Sequence, residues 1–295
     1  MIVPANHNLS RRDRREFLSN VGKGMLVASV GSSLAFDLGL CPAHAAEWDD
    51  VLAFGEMEPL VSLMQETPLD KFQATIVQKL KSGTDMKTLV AAAALANART
   101  FGGQDYDGYH TFMALGPAWE MSKELPEAQR ALPILKVLYR NTHRIQGHGG
   151  RDHDVLHVVQ PATIASNSDG GILLQEATRA ADFERAETVF AALATGPVGE
   201  AYNHLQYSVQ DEIDVHRIVL AWRAWMMLGI TGQEHAHTLL RQSVRFCVDS
   251  EQSMKQNHRQ PSEIRGLLPK LLSNYGLLEK PLGTREPGDA WVGQM

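Results

Sequence analysis

Apolar residues recur along this chain at the spacing of an α-helix, and no run of useful length alternates between apolar and polar residues as a strand does. The segment DKFQATIVQKLKSG, residues 70–83, illustrates the pattern, since one helical face collects its apolar residues Phe72, Ile76, Val77 and Leu80. Gly83 then predicts the end of that helix. The chain therefore predicts an all-α fold, a single domain of about nine to eleven helices arranged as antiparallel hairpins.

Several local signals predict where the helices begin and end. Breaks in the pattern fall at Gly102–Gly103, at Gly116–Pro117, at Ala181–Asp182 and near Asp211. Thr231, followed three residues later by Glu234, matches a capping box and predicts the start of a late helix. We expect the helical domain to span residues 46–279, and residues 280–295, with their prolines and glycines, to form an irregular tail.

Residues 1–45 have the three-part plan of a secretory signal, with a basic start, a weakly apolar middle and a small-x-small end at Ala43-His44-Ala45. Within this segment, Arg14-Arg15-Glu16-Phe17-Leu18 resembles a twin-arginine (Tat) signal, in which two arginines precede a variable residue and Phe-Leu. The resemblance implies that the chain is exported folded, through the Tat translocase as a transient partner. It also implies that the mature protein is periplasmic or secreted, and it is compatible with a cofactor inserted before export.

Composition then limits what the mature protein can bind. Residues 1–45 carry five basic and three acidic side chains, so removing their net +2 takes the formal charge from -6 to -8. Such an acidic protein is a poor ligand for nucleic acid or for anionic membranes. Outside the signal no apolar run is long enough for a membrane helix, so we expect no stable membrane insertion after cleavage. Cys247 is the only cysteine left, which excludes an intramolecular disulfide.

The stretch NTHRIQGHGGRDHDVLHVVQ, residues 141–160, contains four histidines. His153 and His157 are four residues apart, so a helix would project both rings from one face as two metal ligands. His148 would be a third ligand in that arrangement. The alternative is a solvated glycine-rich loop followed by a capped helix. We expect His157, with His153, to face inward toward a site, and His143 and His148 to lie in the loop.

A second set of polar residues lies in the apolar region 199–232. On one continuous helix His204 and Asp211 share a side, and His216 follows within two turns. A histidine beside a carboxylate among bulky apolar residues suits an acid–base pair or a metal site. The alternative is a hinge between two helices, with Asp211 only capping the second.

His110 opens an otherwise apolar helix behind Tyr106 and Tyr109 and is placed to point inward, either into a site or as a hydrogen-bonded structural residue. The candidates for catalysis are His110, His204, Asp211 and His216. The candidates for metal ligation are His110, His153, His157 and His204. Iron, copper or zinc would suit this mixture of histidine and carboxylate.

The order of several segments resembles the questin oxidase-like family over most of residues 86–250. The segments are YHTFMALGPAWEMS, HDVLHVV, ADFERAETVFAAL, YNHLQYSVQDEIDVHRIVLAWRAW and LLRQSVRFC. The resemblance implies an all-helical oxidoreductase acting on a hydrophobic or aromatic small molecule, with His110, His157 and His204 as site residues. The chain departs from the family in one respect, because the reduced nicotinamide used in that family's reaction is not expected outside the cytoplasm.

Three functional hypotheses follow. The first is an exported oxidoreductase with a histidine-rich, metal-assisted site. The second is a non-enzymatic helical binding or assembly protein whose histidines are structural. The third is a cofactor-free hydrolase or lyase using a histidine–carboxylate pair, although no Gly-x-Ser-x-Gly elbow occurs.

Overall fold

The helical periodicity of the sequence is realised over most of the part of the chain described by a computed structural model, residues 51–104, 106–278 and 288–293. The first six α-helices are α1 (Glu58–Glu66), α2 (Leu69–Lys81), α3 (Met86–Phe101), α4 (Tyr106–Glu124), α5 (Ala131–His148) and α6 (Gly170–Ala180). The next six are α7 (Phe183–Leu193), α8 (Val198–Val209), α9 (Val215–Thr231), α10 (Ala236–Gln256), α11 (Ile264–Tyr275) and α12 (Asp289–Val292). Short 3₁₀ turns at Gly55–Met57, Glu127–Gln129, Gly150–His153 and Gln233–His235 join some of them. The prediction of one all-α domain is confirmed.

Neighbouring helices pack as hairpins, with α4 against α5, α6 against α7, and α9 against α10. The α6–α7 hairpin turns where the sequence predicts, because Ala181 takes the left-handed conformation and the Asp182 side chain accepts the Arg185 N–H at the start of α7. The predicted break near Asp211 is also present, between Val209 and Val215. The hairpin prediction therefore holds where turn chemistry marks the reversal.

Helix α3 forms the centre of the domain. All its residues from Leu89 to Phe101 are buried, and it contacts α1, α4, α5, α9 and α10. A helix that is apolar on every side belongs in a core, and its run of alanines lets neighbouring helices approach closely. The Asp85 side chain caps its start, and Gly102 ends it with a φ of 55°.

Three local predictions are wrong. Residues after His153 do not form a helix, because the 3₁₀ turn ends there and Asp154 continues in an extended conformation. The Thr231–Glu234 capping box is absent, because Thr231 is the last residue of α9 and its hydroxyl donates to the Met227 carbonyl. Pro117 does not interrupt α4, which runs through it.

The predicted tail and signal lie mostly outside the described residues. Within the tail, Asp289–Val292 form one helical turn, and residues 279–287 are not described. The whole of the segment 1–45, with its twin-arginine motif, falls outside them as well. No helix in the described ranges is both long and apolar enough to cross a membrane.

A buried ion-pair network fixes the segment after α5. Arg99, fully buried on α3, donates to both carboxylate oxygens of Glu58 at 2.8 and 2.9 Å, and its Nε lies 3.2 Å from Asp154. Burial raises the pKa of Asp154, while Arg99 and a hydrogen bond from Gln65 oppose that rise. Asp154 therefore holds this segment against α1 and α3.

A second buried network centres on α10. Glu187 of α7 accepts from Arg241 at 2.6 Å and from Arg245 at 2.7 Å. Arg241 also donates to the His157 carbonyl at 2.8 Å, and Arg245 to the side chain of Gln104 at 2.8 Å. Burial alone would raise the pKa of Glu187, but the two guanidiniums outweigh it and hold that pKa below its ordinary value.

Candidate active site

Two of the predicted catalytic histidines, distant in sequence, meet in the fold. His110 on α4 and His216 on α9 have ring centroids 5.6 Å apart, at an interplanar angle of 83°. We use the name His110–His216 cluster for these two residues together with Tyr106, Tyr109, Asp214 and Phe246. The Tyr109 ring stacks on His110 at 4.4 Å and meets His216 edge-on at 5.2 Å. Three helices, α4, α9 and α10, therefore contribute to one aromatic and histidine-rich cluster.

Two glycines allow α4 to start at this position. Gly103 has a φ of 80°, and a Cβ there would lie 2.1 Å from a backbone oxygen of α10, so only glycine lets the α3–α4 turn touch α10. Gly108 lies against Phe101, and a Cβ would come 2.3 Å from that ring. Asn97 of α3 then donates to the Gly108 carbonyl at 2.9 Å. The first turn of α4, which carries Tyr109 and His110, is thus fixed from two sides.

Asp214 caps α9 and orients His216. Its Oδ1 accepts the backbone N–H of His216 at 2.9 Å and lies 2.9 Å from the ring Nδ1 of the same residue. Because a carboxylate only accepts hydrogen bonds, the neutral ring must carry its proton on Nδ1 in this contact. The Nε2 atom of His216 then holds a lone pair.

His110 has the same tautomer for a different reason. Its Nδ1 lies 2.5 Å from the carbonyl oxygen of Tyr106, one turn earlier on α4. A carbonyl oxygen also only accepts, so Nδ1 donates and Nε2 of His110 keeps its lone pair. The cluster therefore contains two imidazoles whose Nε2 atoms are able to accept a proton or bind a ligand.

Tyr109 supplies a hydrogen-bond donor. Its side chain is 3% exposed, and burial, with the nearby Tyr106 and the charge of Asp214, raises its pKa to about 12. A phenol with that pKa stays protonated at neutral pH and donates its O–H. Tyr106, in contrast, is 69% exposed and covers the outer side of the histidines.

A cleft opens beside the cluster. Of the cluster, Asp214 and Phe246 line a cavity of about 420 Å³, whose other lining residues are mostly polar and include Glu212, Asp249 and Arg259. Ile213 is 72% exposed at its edge, and the side chain of His216 is 31% exposed. The cleft therefore borders the cluster at Asp214 and Phe246, and His216 is itself partly accessible to solvent.

Two other predicted catalytic residues lie elsewhere. His204 on α8 packs against the start of α6, with its ring near Gly170. Asp211 is buried and bound by Arg179, whose Nε and Nη2 each donate to it at 2.7 Å. A carboxylate held by a bidentate guanidinium is poorly suited to accept a proton from a substrate. The position of Asp211 at the α8–α9 turn agrees with the alternative hinge interpretation, but the residue that caps α9 is Asp214.

A third ion-pair network surrounds this turn. Arg217, fully buried on α9, donates to Glu251 of α10 at 2.8 Å, and Arg265 reaches the same Glu251 oxygen at 2.6 Å. Arg265 also donates to the backbone carbonyl of Asp211 at 3.4 Å. The network links the α8–α9 turn to α9 and α10. It also links them to α11, because Arg265 is the second residue of that helix.

The histidine-rich stretch does not form the predicted inward-facing pair. His153 ends the 3₁₀ turn and is exposed, and His157 is exposed in an extended segment whose backbone pairs with Val51. His143 and His148, expected in a loop, belong to α5, where His148 packs against Phe101 at 5.0 Å. The helical geometry on which the pairing of His153 and His157 depended is therefore wrong.

The four predicted metal ligands, His110, His153, His157 and His204, do not assemble into one site. Within the described ranges no three His, Cys, Asp or Glu side chains come together in a way that could hold a metal ion. A catalytic zinc site uses three protein ligands and a structural site four. The His, Cys, Asp and Glu side chains of the described residues therefore do not form a site for such a metal.

Sequence reasoning missed the role of Asp214 and Phe246 and treated Tyr106 and Tyr109 only as neighbours of His110. One signal was available: an aspartate two residues before His216, at the start of a helix, is the pattern of a capping residue. Phe246 carried no such signal. No protein-family model, no curated protein and no solved structure matches the chain.

Proposed function

We propose that this protein is an exported enzyme that uses the His110–His216 cluster for acid–base chemistry on a hydrophobic or aromatic small molecule. The observation that carries the proposal is that Nδ1 of each histidine lies within hydrogen-bond distance of an oxygen that only accepts, which leaves the lone pair of each neutral ring on Nε2. The protonated Tyr109 lies between them in ring contact with each. A proton-transfer site needs a base and a hydrogen-bond donor for the oxygen that becomes negative, and this partly exposed cluster contains both.

The chemistry assigns a role to each side chain. Nε2 of His216 takes a proton from the substrate, and the resulting imidazolium is stabilised by the Asp214 carboxylate on its other nitrogen. The O–H of Tyr109 donates a hydrogen bond to the oxygen on which negative charge develops. His110 stands beside this pair as a second base that can receive the proton and pass it to solvent past the exposed Tyr106.

The substrate class follows from the surroundings. Aromatic rings of Tyr106, Tyr109 and Phe246 surround the histidines, and the exposed Ile213 borders the cleft. The rings supply the apolar contacts that a hydrophobic or aromatic substrate needs, and the polar residues of the cleft, such as Asp249 and Arg259, supply the groups that orient it. The resemblance to questin oxidase-like proteins makes oxidation of an alcohol the reaction class to test first. The base removes the O–H proton, and the carbon-bound hydrogen leaves with two electrons to a soluble quinone supplied as the acceptor, which gives a carbonyl product and a hydroquinone.

The test compares His216→Gln with the matched control His153→Gln, which changes an exposed histidine away from the cluster. Purified mature protein is incubated with a panel of aryl alcohols and a soluble quinone as electron acceptor, and substrate loss and product mass are measured by liquid chromatography and mass spectrometry. We expect turnover to fall about 10²- to 10⁴-fold in His216→Gln, with unchanged thermal unfolding, and to persist in the control. Equal turnover in both variants would refute the assignment.

Export is proposed on the twin-arginine motif alone. Replacing Arg14 and Arg15 by lysine keeps the charge but removes the motif, so we expect the full chain to accumulate uncleaved in the cytoplasm. A tagged wild-type chain fractionated in parallel is expected in the periplasm or medium. Export and cleavage of the double variant at the wild-type level would contradict the proposal.

A helical binding or assembly protein is the second candidate, and one observation favours it. Helix α9 exposes a stripe of apolar side chains at helical spacing: Val215, Ile218, Trp222 and Met226. Contiguous apolar surface of this kind is typical of protein contacts. In this case Trp222→Gln would abolish a complex while His216→Gln left it intact, as read by size-exclusion chromatography with light scattering.

A further inference from the structure

A second cavity lies on another side of α4, between α4 and α5. It has a volume of about 560 Å³. Ten residues line it: Ala114, Pro117, Ala118, Met121, Leu125, Leu132, Pro133, Lys136, Val137 and Arg140. None of them belongs to the His110–His216 cluster.

The groove follows the packing of α4 against α5. Its α4 side consists of Ala114, Ala118 and Met121, which follow one another at helical spacing. The two alanines leave space that a larger side chain would fill. On α5 the lining runs from Leu132 to Arg140, a rise of about 12 Å. Apolar lining that extends along two antiparallel helices in this way matches the length of a linear hydrocarbon chain of eight to ten carbons, about 10–12 Å.

The charge of the groove distinguishes it from the rest of the surface. Lys136 and Arg140, one turn apart on α5, are its only charged lining residues within the described chain, and both are exposed. The whole protein carries 34 acidic against 28 basic side chains. An apolar groove with two cations on one edge and no carboxylate in its described lining is complementary to an amphiphile with a negative head group.

From this complementarity we infer that the α4–α5 groove binds a single-chain carboxylate amphiphile, such as a medium-length fatty acid. The hydrocarbon chain lies along Ala114, Ala118 and Met121, and the carboxylate contacts Lys136 or Arg140. Each methylene buried contributes about fourfold to the binding constant. Each exposed cation contributes about twofold to fivefold. The inference does not depend on the proposed enzymatic function, because it concerns a different surface.

The primary test is calorimetric titration of the mature protein with sodium decanoate, below its micelle-forming concentration. We expect saturable binding of one decanoate per chain, about 16-fold weaker binding of octanoate, and weaker binding of decanol and decylamine. Decylamine that binds as tightly as decanoate would overturn the charge argument. Absence of saturable decanoate binding would overturn the proposal as a whole.

Two matched substitutions test whether the ligand binds in the groove. Ala114→Leu fills the groove at an exposed helical position and is expected to weaken decanoate binding about tenfold or more, without destabilising α4. The matched control Ala74→Leu makes the same change on the exposed surface of α2. Equal effects of the two substitutions would refute the location.

The charge variants have their own control. Lys136→Gln with Arg140→Gln is expected to weaken decanoate about fourfold or more and to leave decanol unchanged, whereas Lys71→Gln on α2 changes neither. Equal loss for decanoate and decanol would refute the role of the two cations. A one-to-one complex with an acidic amphipathic peptide, in the absence of saturable decanoate binding, would assign the groove to a protein partner and overturn the proposal.

Discussion

Replacing Asp214 by asparagine separates the two roles of this side chain, the capping of α9 and the orientation of His216. Asparagine is as good a helix cap as aspartate, so its Oδ1 can still accept the backbone N–H of His216. The negative charge that holds the ring proton on Nδ1 is lost. We therefore expect Asp214→Asn to preserve the start of α9 and to raise the fraction of His216 that is protonated on Nε2.

The size of each effect follows from the two hydrogen bonds at 2.9 Å. A hydrogen bond to a charged group contributes about 1.5–3 kcal/mol, and one between neutral groups about 0.5–1.5 kcal/mol. The midpoints differ by about 1.2 kcal/mol, which corresponds to roughly an eightfold fall in the ratio of the Nδ1–H to the Nε2–H tautomer. The free energy of unfolding is expected to fall by about 1 kcal/mol in Asp214→Asn, which keeps the cap, and by about 2 kcal/mol or more in Asp214→Ala, which loses both hydrogen bonds.

The tautomers are measured by ¹⁵N nuclear magnetic resonance of the histidine side chains in the neutral form, and stability by urea unfolding. His110, whose Nδ1 bonds to a backbone carbonyl, is the internal control and is expected to keep its Nδ1–H tautomer in all variants. A wild-type His216 that is mainly protonated on Nε2 would refute the assignment of roles in the cluster. So would an Asp214→Asn variant with an unchanged tautomer ratio.

Three further outcomes are expected. Glu187→Gln leaves Arg241 and Arg245 without their buried carboxylate and is expected to cost about 3–5 kcal/mol at pH 7 in urea unfolding. Because the folded pKa of Glu187 lies below its ordinary value, its contribution is present above that value and is lost as the pH falls through the folded pKa, so the deficit shrinks in acid. Cys247 is fully buried, and burial raises its pKa to about 12, so iodoacetamide at pH 8 should label it only after unfolding, as read by peptide mass spectrometry. Gly103→Ala is expected to cost at least about 2 kcal/mol, because alanine is strained at a φ of 80° and its Cβ would overlap the backbone of α10.

Each of these outcomes has a control or a contradicting result. Glu184→Gln, an exposed change on the same helix, should cost less than about 0.5 kcal/mol. A Glu187→Gln deficit that stayed constant between pH 7 and pH 3 would contradict the charge argument. Labelling of native Cys247 at the unfolded rate would contradict its burial, and a Gly103→Ala variant of wild-type stability would contradict the close contact with α10.

The sequence predicts the fold better than it predicts the site, for a physical reason. Helical periodicity, the stop at Gly102–Gly103 and the reversal at Ala181–Asp182 are local signals, written in residues close to each other in the chain. The approach of α4 to α9 is not local. His110 and His216 were both singled out as candidates, but nothing in their own neighbourhoods indicates that they meet.

The errors have equally specific causes. Spacing alone made His153 and His157 a helical pair, but the chain is held extended there by tertiary contacts, since Arg99 binds Asp154 and Arg241 binds the His157 carbonyl. Asp211 has the sequence surroundings of a catalytic acid, and only the fold reveals that Arg179 occupies its carboxylate. In each case the arginine that determines the conformation or the chemistry lies on another helix, and nothing in the sequence near the residue indicates that contact.

The position of α10 among the buried ion pairs has a consequence for the time at which the protein can fold during synthesis. Its Arg241 and Arg245 bind Glu187, its Glu251 binds Arg217, and its Asp249 accepts from Gln104, 145 residues earlier. A growing chain holds Glu187 and Arg217 without these partners until residue 251 has left the ribosome. Native structure is therefore reached after the chain is nearly complete, and the first hairpins to emerge must wait for the helix that joins them.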